Sequence, residues 1–391
     1  MRLVTKAMID LGHTVEVLSG QPYPILDEGV GLTKLPSLDL YSYESVLDAF
    51  RLSLLKEPIN LYEWLSHLSG GFSEPYTFGE RMAVWAKNNY KNYDVVHDNQ
   101  TLAYGLLKLR DLGLPVVGTI HHPITMDKRI DIKHADTLTL KILKWRWYSF
   151  LKMQIKVARK LDPIIVVSEN TRKDLIKDFK IDSNKTRKVL HGIDHETFHP
   201  ISSIKRKKNQ LITTASADVP LKGLIFLIRA YADLLKEFPD LELLVIGRLR
   251  EGPTDQELKK EGIKEKVKFI SDLTGRQIAE LYAESTIAVS PSVYEGFGFP
   301  AGEAMSCGIP LISTNGGSLP EVVGDAAIIV PHSNPKALKD AIKLLLKSPE
   351  KRINLGNKGR KRVLEKFTWK RAAKELVEVY REAIENANNR S

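Results

Sequence analysis

The chain has 391 residues, more than one ordinary hydrophobic core supports, so its length predicts two domains. Its 43% hydrophobic and 27% charged residues are typical of a globular protein, and no apolar run is long enough to span a bilayer. The net charge of +10 suggests a polyanionic partner, but there is no zinc-ligand spacing, helix-turn-helix signal or RNA-binding motif, which argues against nucleic acid. One cysteine, Cys307, excludes an internal disulfide and favours a reducing, cytoplasmic location, with the inner face of a membrane as the alternative.

The first half of the chain predicts an irregular α/β domain over residues 1–198. It opens on an amphipathic helix, "RLVTKAMIDLGHTVEVLSG", that runs straight into a strand, whereas a doubly wound domain normally begins with a strand and a Gly-rich turn. We therefore expect the first strand to be missing, and we favour an N-terminally shortened chain. Further strands are predicted at "DVVHD", "PVVGTI", "PIIVVS" and "KVLHG".

A basic segment over residues 137–161 predicts an amphipathic helix. It contains seven Lys or Arg and no acid, and Lys141, Lys144 and Lys152 fall on one stripe, with Trp145 on the same side. Such a helix could lie on an anionic membrane, which would favour a lipid or lipid-linked acceptor. The commoner alternative is that its apolar side packs on the domain core while the lysines stay in water.

The second half predicts a regular doubly wound α/β domain over residues 211–367, after a polar linker at 199–210. Strands at "LITTAS", "LELLVIG", "KVKFIS", "IAVSPS", "PLISTN" and "AAIIVP" alternate with amphipathic helices, except that "KVKFIS" follows "LELLVIG" directly. Short apolar strands separated by helices indicate a parallel sheet covered on both faces. Ligands are therefore expected at the carboxyl ends of the strands, in a cleft that the two domains face.

Two strand-to-helix loops of the second half predict an anion site. In "YEGFGFPAGEAMSCG", Glu295 lies on the loop and Glu303 about one turn into the following helix, whose N-terminus is a natural seat for phosphate. The glycines of the loop let backbone come close to a ligand. In "ASADVPLKG", Lys222 is predicted to lie at the start of a helix, where a cation is unfavourable unless an anion lies beside it.

These motifs resemble the retaining glycosyltransferases of family 4, which have the GT-B fold of two Rossmann-like domains. The resemblance rests on the E-x7-E spacing of Glu295 and Glu303 in "PSVYEGFGFPAGEAMSCGIPLISTNGGSLPEVVG", and on "VSENTRKDL", "LHGIDHETFHP" and "FTWKRAAKELVEVYREA". It implies that residues 368–391 form a helix that crosses back to the first domain. It also implies a hexosyltransferase that moves a sugar from a UDP- or GDP-linked donor to an acceptor hydroxyl, with no further cofactor.

The resemblance assigns roles to individual residues. Glu303 would bind the ribose hydroxyls, Glu295 would contact the donor sugar near the reacting carbon, and Lys222, followed by Gly223, would neutralise the diphosphate. The backbone of Phe297, Gly298 and Phe299 would line the sugar and phosphates. His121 in "GTIHHPITMD" would lie near the donor sugar, and His97 and Asp98 are weaker candidates for the cleft.

One position departs from the family pattern, because Ala217 stands where the family usually has an arginine. Arg248 is a possible substitute, and Asp218 would point away from the phosphates or bind a sugar hydroxyl. Family members retain the anomeric configuration by a front-face route without a metal. We find no paired-Asp motif for a metal ion.

Three alternative functions explain fewer of these sequence features or require a motif that is absent. A GT-B-type sugar-nucleotide epimerase would share the site but need no acceptor. A dinucleotide dehydrogenase is disfavoured because no G-x-G-x-x-G opens either half. A non-catalytic protein that binds polyanions or membranes would leave the two glutamates and Lys222 unexplained.

Overall fold

The computed structural model describes residues 2–215 and 219–389, which form two structural units. One unit contains Met1–Val167, Thr171–Val189 and Ala372–Ser391, and the other contains Ser168–Asn170 and Leu190–Arg371. Along the chain, the first unit breaks off after residue 189 and resumes at Ala372, whereas the predicted boundary lies at 198. The segment from residue 190 to residue 198 belongs to the second unit. Ile193 and Phe198 in this segment are buried, and the carbonyl of Phe198 accepts a hydrogen bond from Arg360 of the second unit.

The first unit contains two parallel sheets. Four strands pair in the order β3-β4-β5-β6, and β1 pairs with β2 in a separate sheet. The elements of the first unit are α1 (Arg2–Ile9), β1 (Glu16–Ser19), β2 (Gly31–Lys34), α2 (Pro58–Leu68), α3 (Glu74–Asn89), β3 (Val96–Asn99), α4 (Tyr104–Asp111), β4 (Val116–Ile120), α5 (Thr125–Lys133), α6 (Leu138–Trp147), α7 (Leu151–Ala158), β5 (Ile164–Val166), α8 (Glu169–Phe179) and β6 (Thr186–Lys188). Of these, β2 was not predicted from the sequence, and β6 was predicted at "KVLHG", which begins two residues too late.

The basic segment of the first unit is two helices rather than the one predicted. A 3-10 turn at Tyr148–Phe150 separates α6 from α7. Tyr148, Phe150 and Leu151 are buried in a small apolar cluster with Phe72 and Trp147, so the chain turns there to bury them. The basic stripe is therefore not continuous.

The second unit is a six-stranded sheet in the order β12-β11-β10-β7-β8-β9, with every neighbouring pair parallel. Its elements are β7 (Gln210–Thr214), α9 (Leu224–Leu235), β8 (Glu242–Ile246), α10 (Pro253–Lys260), β9 (Val267–Ile270), α11 (Gly275–Glu284), β10 (Ile287–Ser290), α12 (Phe299–Ser306), β11 (Leu311–Thr314), α13 (Leu319–Val323), β12 (Ala327–Val330), α14 (Pro335–Lys347) and α15 (Pro349–Lys366). The last helix, α16 (Trp369–Asn388), follows. Its residues from Ala372 onward belong to the first unit.

The sheet of the second unit explains why its loops can form a site. The chain starts in the centre at β7, builds outward through β8 and β9, and then returns to β10 on the other side of β7. The loops after β7 and β10 therefore diverge from a topological switch point, where α/β sheets bind ligands. Helix α10 was not predicted from the sequence, because Leu258 is its one large apolar side chain and the segment therefore has little helical periodicity.

Candidate active site

Two of the predicted site residues meet at the switch point of the second unit. Lys222, after β7, donates from Nζ to Glu295 Oε1, after β10, at 2.8 Å. Ser292 Oγ donates to the same oxygen at 2.8 Å. The Glu295 side chain is 13% exposed and that of Lys222 is 32% exposed, so the pair is partly shielded from water. Lys222 therefore has an anionic partner within the protein, in addition to any phosphate it binds.

Gly223 allows the two loops to approach closely. Lys222 was predicted to lie at the start of a helix. Instead, Lys222 is the last residue of a 3-10 turn at Pro220–Lys222, and α9 begins after Gly223. Gly223 has φ of +61°, and a Cβ there would lie 2.2 Å from the carbonyl oxygen of Pro291. Only glycine fits this contact, which brings Lys222 to the loop of Glu295.

The Phe297–Phe299 loop is anchored by aromatic side chains. Phe297 is buried, and its ring lies 5.2 Å from the rings of both His191 and Phe299 and 5.8 Å from that of Phe367. Gly298 caps α12 with φ of +100°, and a Cβ there would lie 2.7 Å from Leu319 Cδ2. The side chain of Phe297 thus holds the loop from inside, and its backbone leads directly into the helix N-terminus.

Sequence reasoning missed the residues that hold the loop of Glu295 from the other side. Ser318 donates from its backbone N–H and from Oγ to the carbonyl of Glu295, at 2.9 and 3.0 Å. Gly317 packs so closely on Glu295 that a Cβ would lie 2.3 Å from the same carbonyl oxygen. The "NGGS" turn before α13 was the available signal, because adjacent glycines mark close backbone approach.

Glu303 is a half-buried carboxyl group in α12. Among the described residues, its carboxylate forms no hydrogen bond or ion pair. Burial, and then the negative charge of Asp194, raise the pKa of Glu303 to about 7. A carboxylate kept short of hydrogen bonds is suited to accept them from ligand hydroxyls.

Arg248 has another partner than the one suggested from the sequence. Its guanidinium donates to Asp272 Oδ2 at 2.6 Å and to Ser271 Oγ at 3.1 Å, beyond the end of β9. The Arg248 charge is therefore paired, as that of Lys222 is, and its role beside the phosphates stays a prediction. Ala217 and Asp218 lie outside the described residues.

The first unit places His121 at the end of β4, within a polar network. His121 Nε2 lies 2.9 Å from Asn99 Oδ1, and its backbone N–H donates to Gln100 Oε1 at 2.5 Å. Burial, and then the charge of His122, lower the pKa of His121 to about 4, so the imidazole is neutral near pH 7.

His97 and Asp98, the weaker candidates, are engaged inside the first unit. His97 contacts Tyr380 Oη and Thr119 Oγ1 at 2.6 Å each, which occupies both ring nitrogens. Asp98 accepts from the backbone N–H groups of Thr101 and Leu102 at 3.2 and 3.0 Å. Their contacts support the loop beside His121.

Of the predicted basic residues of the first unit, Lys152 lies beside Trp145. Lys152 Nζ lies 5.5 Å from the centre of the Trp145 ring, and Lys128 Nζ lies 4.6 Å from it. Lys144 pairs with Asp131 at 3.0 Å, and Lys141 is exposed. The Trp145 side chain is 55% exposed. In the described residues no helix is long and apolar enough to cross a membrane.

Comparisons with known proteins identify the family. The model of the Glycosyltransferase Family 4 domain matches residues 1–197, and that of Glycosyl transferases group 1 matches residues 194–362. An MMP alpha-(1->4)-mannosyltransferase from Mycolicibacterium hassiacum is 40% identical over 389 residues, which cover 98% of this chain and 94% of that protein.

Solved structures share the fold at lower identity. A sucrose-phosphate synthase from Thermosynechococcus elongatus matches with a TM-score of 0.73 and 19% identity, covering 98% of this chain and 92% of that one. HepE from Anabaena, solved with UDP and glucose, matches with a TM-score of 0.68 and 15% identity, covering 96% and 95%. The predicted family and fold are confirmed: the chain belongs to glycosyltransferase family 4 and is a glycosyltransferase of the two-domain GT-B fold.

Proposed function

We propose that the chain is a metal-independent, retaining hexosyltransferase that moves a sugar from a nucleoside-diphosphate donor to an acceptor hydroxyl. The observation that carries the proposal is the pairing of Lys222 with Glu295 at the switch point of the second unit, beside the N-terminus of α12. A cation, a helix N-terminus and close backbone suit a diphosphate.

Each donor-site residue has a role in this proposal. Lys222 stabilises the negative charge that builds on the diphosphate as it leaves, and the backbone of Gly298 and Phe299 approaches the phosphates. Glu303 accepts hydrogen bonds from the ribose, since its carboxylate has none within the described residues. Glu295 and His121 are assigned to the reacting sugar, and Gly223 and Phe297 hold the loops in place.

The anomeric configuration of the transferred sugar is proposed to be retained by a front-face route. The leaving phosphate takes the proton of the incoming hydroxyl, and the new bond forms on the face from which the phosphate departs. Glu295 is not assigned as a nucleophile, because the front-face route needs none; its Oε1 accepts hydrogen bonds from Lys222 and Ser292. No glycosyl-enzyme intermediate is then needed, in contrast to retaining glycosidases.

The transferred sugar is proposed to be α-linked mannose. This rests on the 40% identical relative, an MMP alpha-(1->4)-mannosyltransferase, which the chain covers almost end to end. HepE was solved with UDP and glucose, so both a GDP- and a UDP-linked donor belong in the test.

The proposal is tested by incubating the protein with GDP-mannose, UDP-glucose or UDP-N-acetylglucosamine and a methyl α-mannoside or mannose oligosaccharide acceptor, with EDTA present. We expect one donor to release its nucleotide in an acceptor-dependent way, and NMR of the product to show an α-linkage. Acceptor-independent release would instead indicate an epimerase or a hydrolase, and a β-linked product would contradict retention.

Matched lysine variants assign the activity to the site. Lys222→Ala is expected to lower kcat/KM by at least 100-fold, since it removes a charge that stabilises the transition state. Lys236→Ala is the control, because the Lys236 side chain is 75% exposed and, among the described residues, pairs only with Asp233 on the same helical turn. Equal activity of the two variants would contradict the assigned role of Lys222.

We also propose that the acceptor is a lipid-linked sugar and that α6 contacts an anionic membrane surface, at the inner face of the membrane. Three of its apolar residues support this, because Leu138, Ile142 and Trp145 are exposed by 74%, 61% and 55%. Lys141 and Lys144 lie on the same helix, and Lys152 of α7 lies over the Trp145 ring. Exposed apolar and aromatic groups among lysines suit a membrane interface.

A further inference from the structure

The loop that follows β3 holds His121 from two directions. Asn99, the last residue of β3, places Oδ1 2.9 Å from His121 Nε2. The next residue, Gln100, accepts from the backbone N–H of His121 at 2.5 Å and donates from Nε2 to the carbonyl of His122 at 2.8 Å. One side chain thus bridges two successive backbone groups at the end of β4.

The backbone of this loop is strained. Gln100 has φ of +66° and Leu102 has φ of +48°, in the left-handed region that residues other than glycine, asparagine and aspartate seldom adopt. Strain of this kind persists where surrounding contacts enforce it, and such positions cluster at functional sites.

Buried side chains enforce the conformation. Asp98 accepts from the backbone N–H groups of Thr101 and Leu102 beneath the loop. Gln154, on α7 and 2% exposed, donates from Nε2 to the carbonyls of Gln100 and Thr101 at 3.1 and 3.2 Å. Asp98 and Gln154 therefore hold the backbone of the loop, and the side chains of Asn99 and Gln100 are directed at His121.

We infer that Asn99 and Gln100 are positioning residues that set the tautomer and the orientation of His121. The inference rests on the proposed function, in which His121 contacts the reacting sugar. An amide oxygen can only accept, so Asn99 Oδ1 places the imidazole proton on Nε2. Gln100 fixes the backbone from which the ring projects. His121 is neutral near pH 7 because its pKa is lowered, so the tautomer decides which ring nitrogen can accept a hydrogen bond.

A glycine substitution separates this role from a structural one. Gln100→Gly removes both side-chain hydrogen bonds but relieves the positive φ, so we expect kcat to fall at least tenfold while the melting temperature stays or rises. Lys180→Gly is the matched control, because Lys180 is exposed in the same unit and has φ of +55°. It should gain the same relief and keep full activity. A Gln100→Gly variant as active as wild type, or one whose melting temperature falls with its activity, would overturn the inference.

A second experiment, NMR of the His121 ring, does not depend on enzymatic activity. In protein with ¹⁵N-labelled histidine, we expect the His121 shifts of wild type to report the Nε2–H tautomer. Asn99→Asp should raise the His121 pKa by at least one unit, because a carboxylate then lies beside the ring. An unchanged pKa and tautomer in Asn99→Asp and Asn99→Ala would overturn the positioning role. Absence of transfer by wild type with every donor, together with the expected shifts, would overturn the proposed function and leave the positioning of His121 standing.

Discussion

Glu303→Gln is expected to stabilise the protein above pH 7 while it weakens donor binding. Burial and the charge of Asp194 raise the Glu303 pKa from 4.5 to about 7 in the folded state. The folded chain therefore keeps a proton that the unfolded chain releases between these values, and the stability contributed by the protonated group is lost as the pH rises through this window. At 1.36 kcal/mol per pH unit, the ionised carboxylate costs about 3 kcal/mol above pH 7.

The assay is urea unfolding of wild type and Glu303→Gln at intervals from pH 4.5 to 8.5. Other titrating groups are common to both proteins and cancel in the difference between their free energies of unfolding. That difference should grow by about 3 kcal/mol, in favour of the variant, between pH 4.5 and 7, and then level off. Glu265→Gln, at an exposed position of the same unit, is the control and should give a flat difference.

Asp194→Asn tests the second cause of the raised pKa. The variant keeps an oxygen that accepts from the backbone N–H of Thr197 and removes only the charge. The pH range over which the stability difference between wild type and Glu303→Gln grows should therefore move to lower pH when both carry Asp194→Asn. A difference between wild type and Glu303→Gln that stays constant from pH 4.5 to 8.5 would refute the reasoning, because it would mean that Glu303 titrates normally.

Three further predictions follow from particular contacts. Gly223→Ala should destabilise the second unit by more than Gly262→Ala does. Both glycines have positive φ, which costs about 1–2 kcal/mol for alanine, but only at position 223 would the added Cβ collide with Pro291. Equal urea midpoints for the two variants would refute the close approach of Gly223 to Pro291. Tyr380→Phe should lower the free energy of unfolding by about 1 kcal/mol, because it leaves His97 Nδ1 without its partner at 2.6 Å, whereas Tyr62→Phe, at a residue 48% exposed, should change little. Trp145→Ala should reduce cosedimentation with vesicles containing phosphatidylglycerol at least threefold, and equal sedimentation of wild type with neutral phosphatidylcholine vesicles would contradict the charged-surface proposal.

The second unit could be predicted from its sequence far better than the first. Its strands are short apolar runs between strong helices, and "YEGFGFPAGEAMSCG" carries the family signature. The contact between Lys222 and Glu295 was not predictable in the same way, because 73 positions separate them. It depends on β7 lying beside β10, which is a property of the sheet order and not of either loop.

Local signals failed where tertiary packing decides the conformation. The 137–161 segment has unbroken helical periodicity, but burial of Tyr148 and Phe150 turns the chain between α6 and α7. The strained loop after β3 gave no signal, because its left-handed positions are Gln100 and Leu102 instead of glycines. Asp98 and Gln154 impose that conformation, and Gln154 lies on α7, 54 positions beyond Gln100.

The loops after β7 and β10 are proposed to hold the nucleotide of the donor. Calorimetric titration with UDP, GDP and ADP, on wild type, Lys222→Ala and Glu303→Ala, measures this binding. We expect one nucleotide to bind wild type with a clear preference, and both variants to bind it at least tenfold more weakly. Failure of all three nucleotides to bind folded wild type, or equal affinity in wild type and both variants, would contradict this proposal.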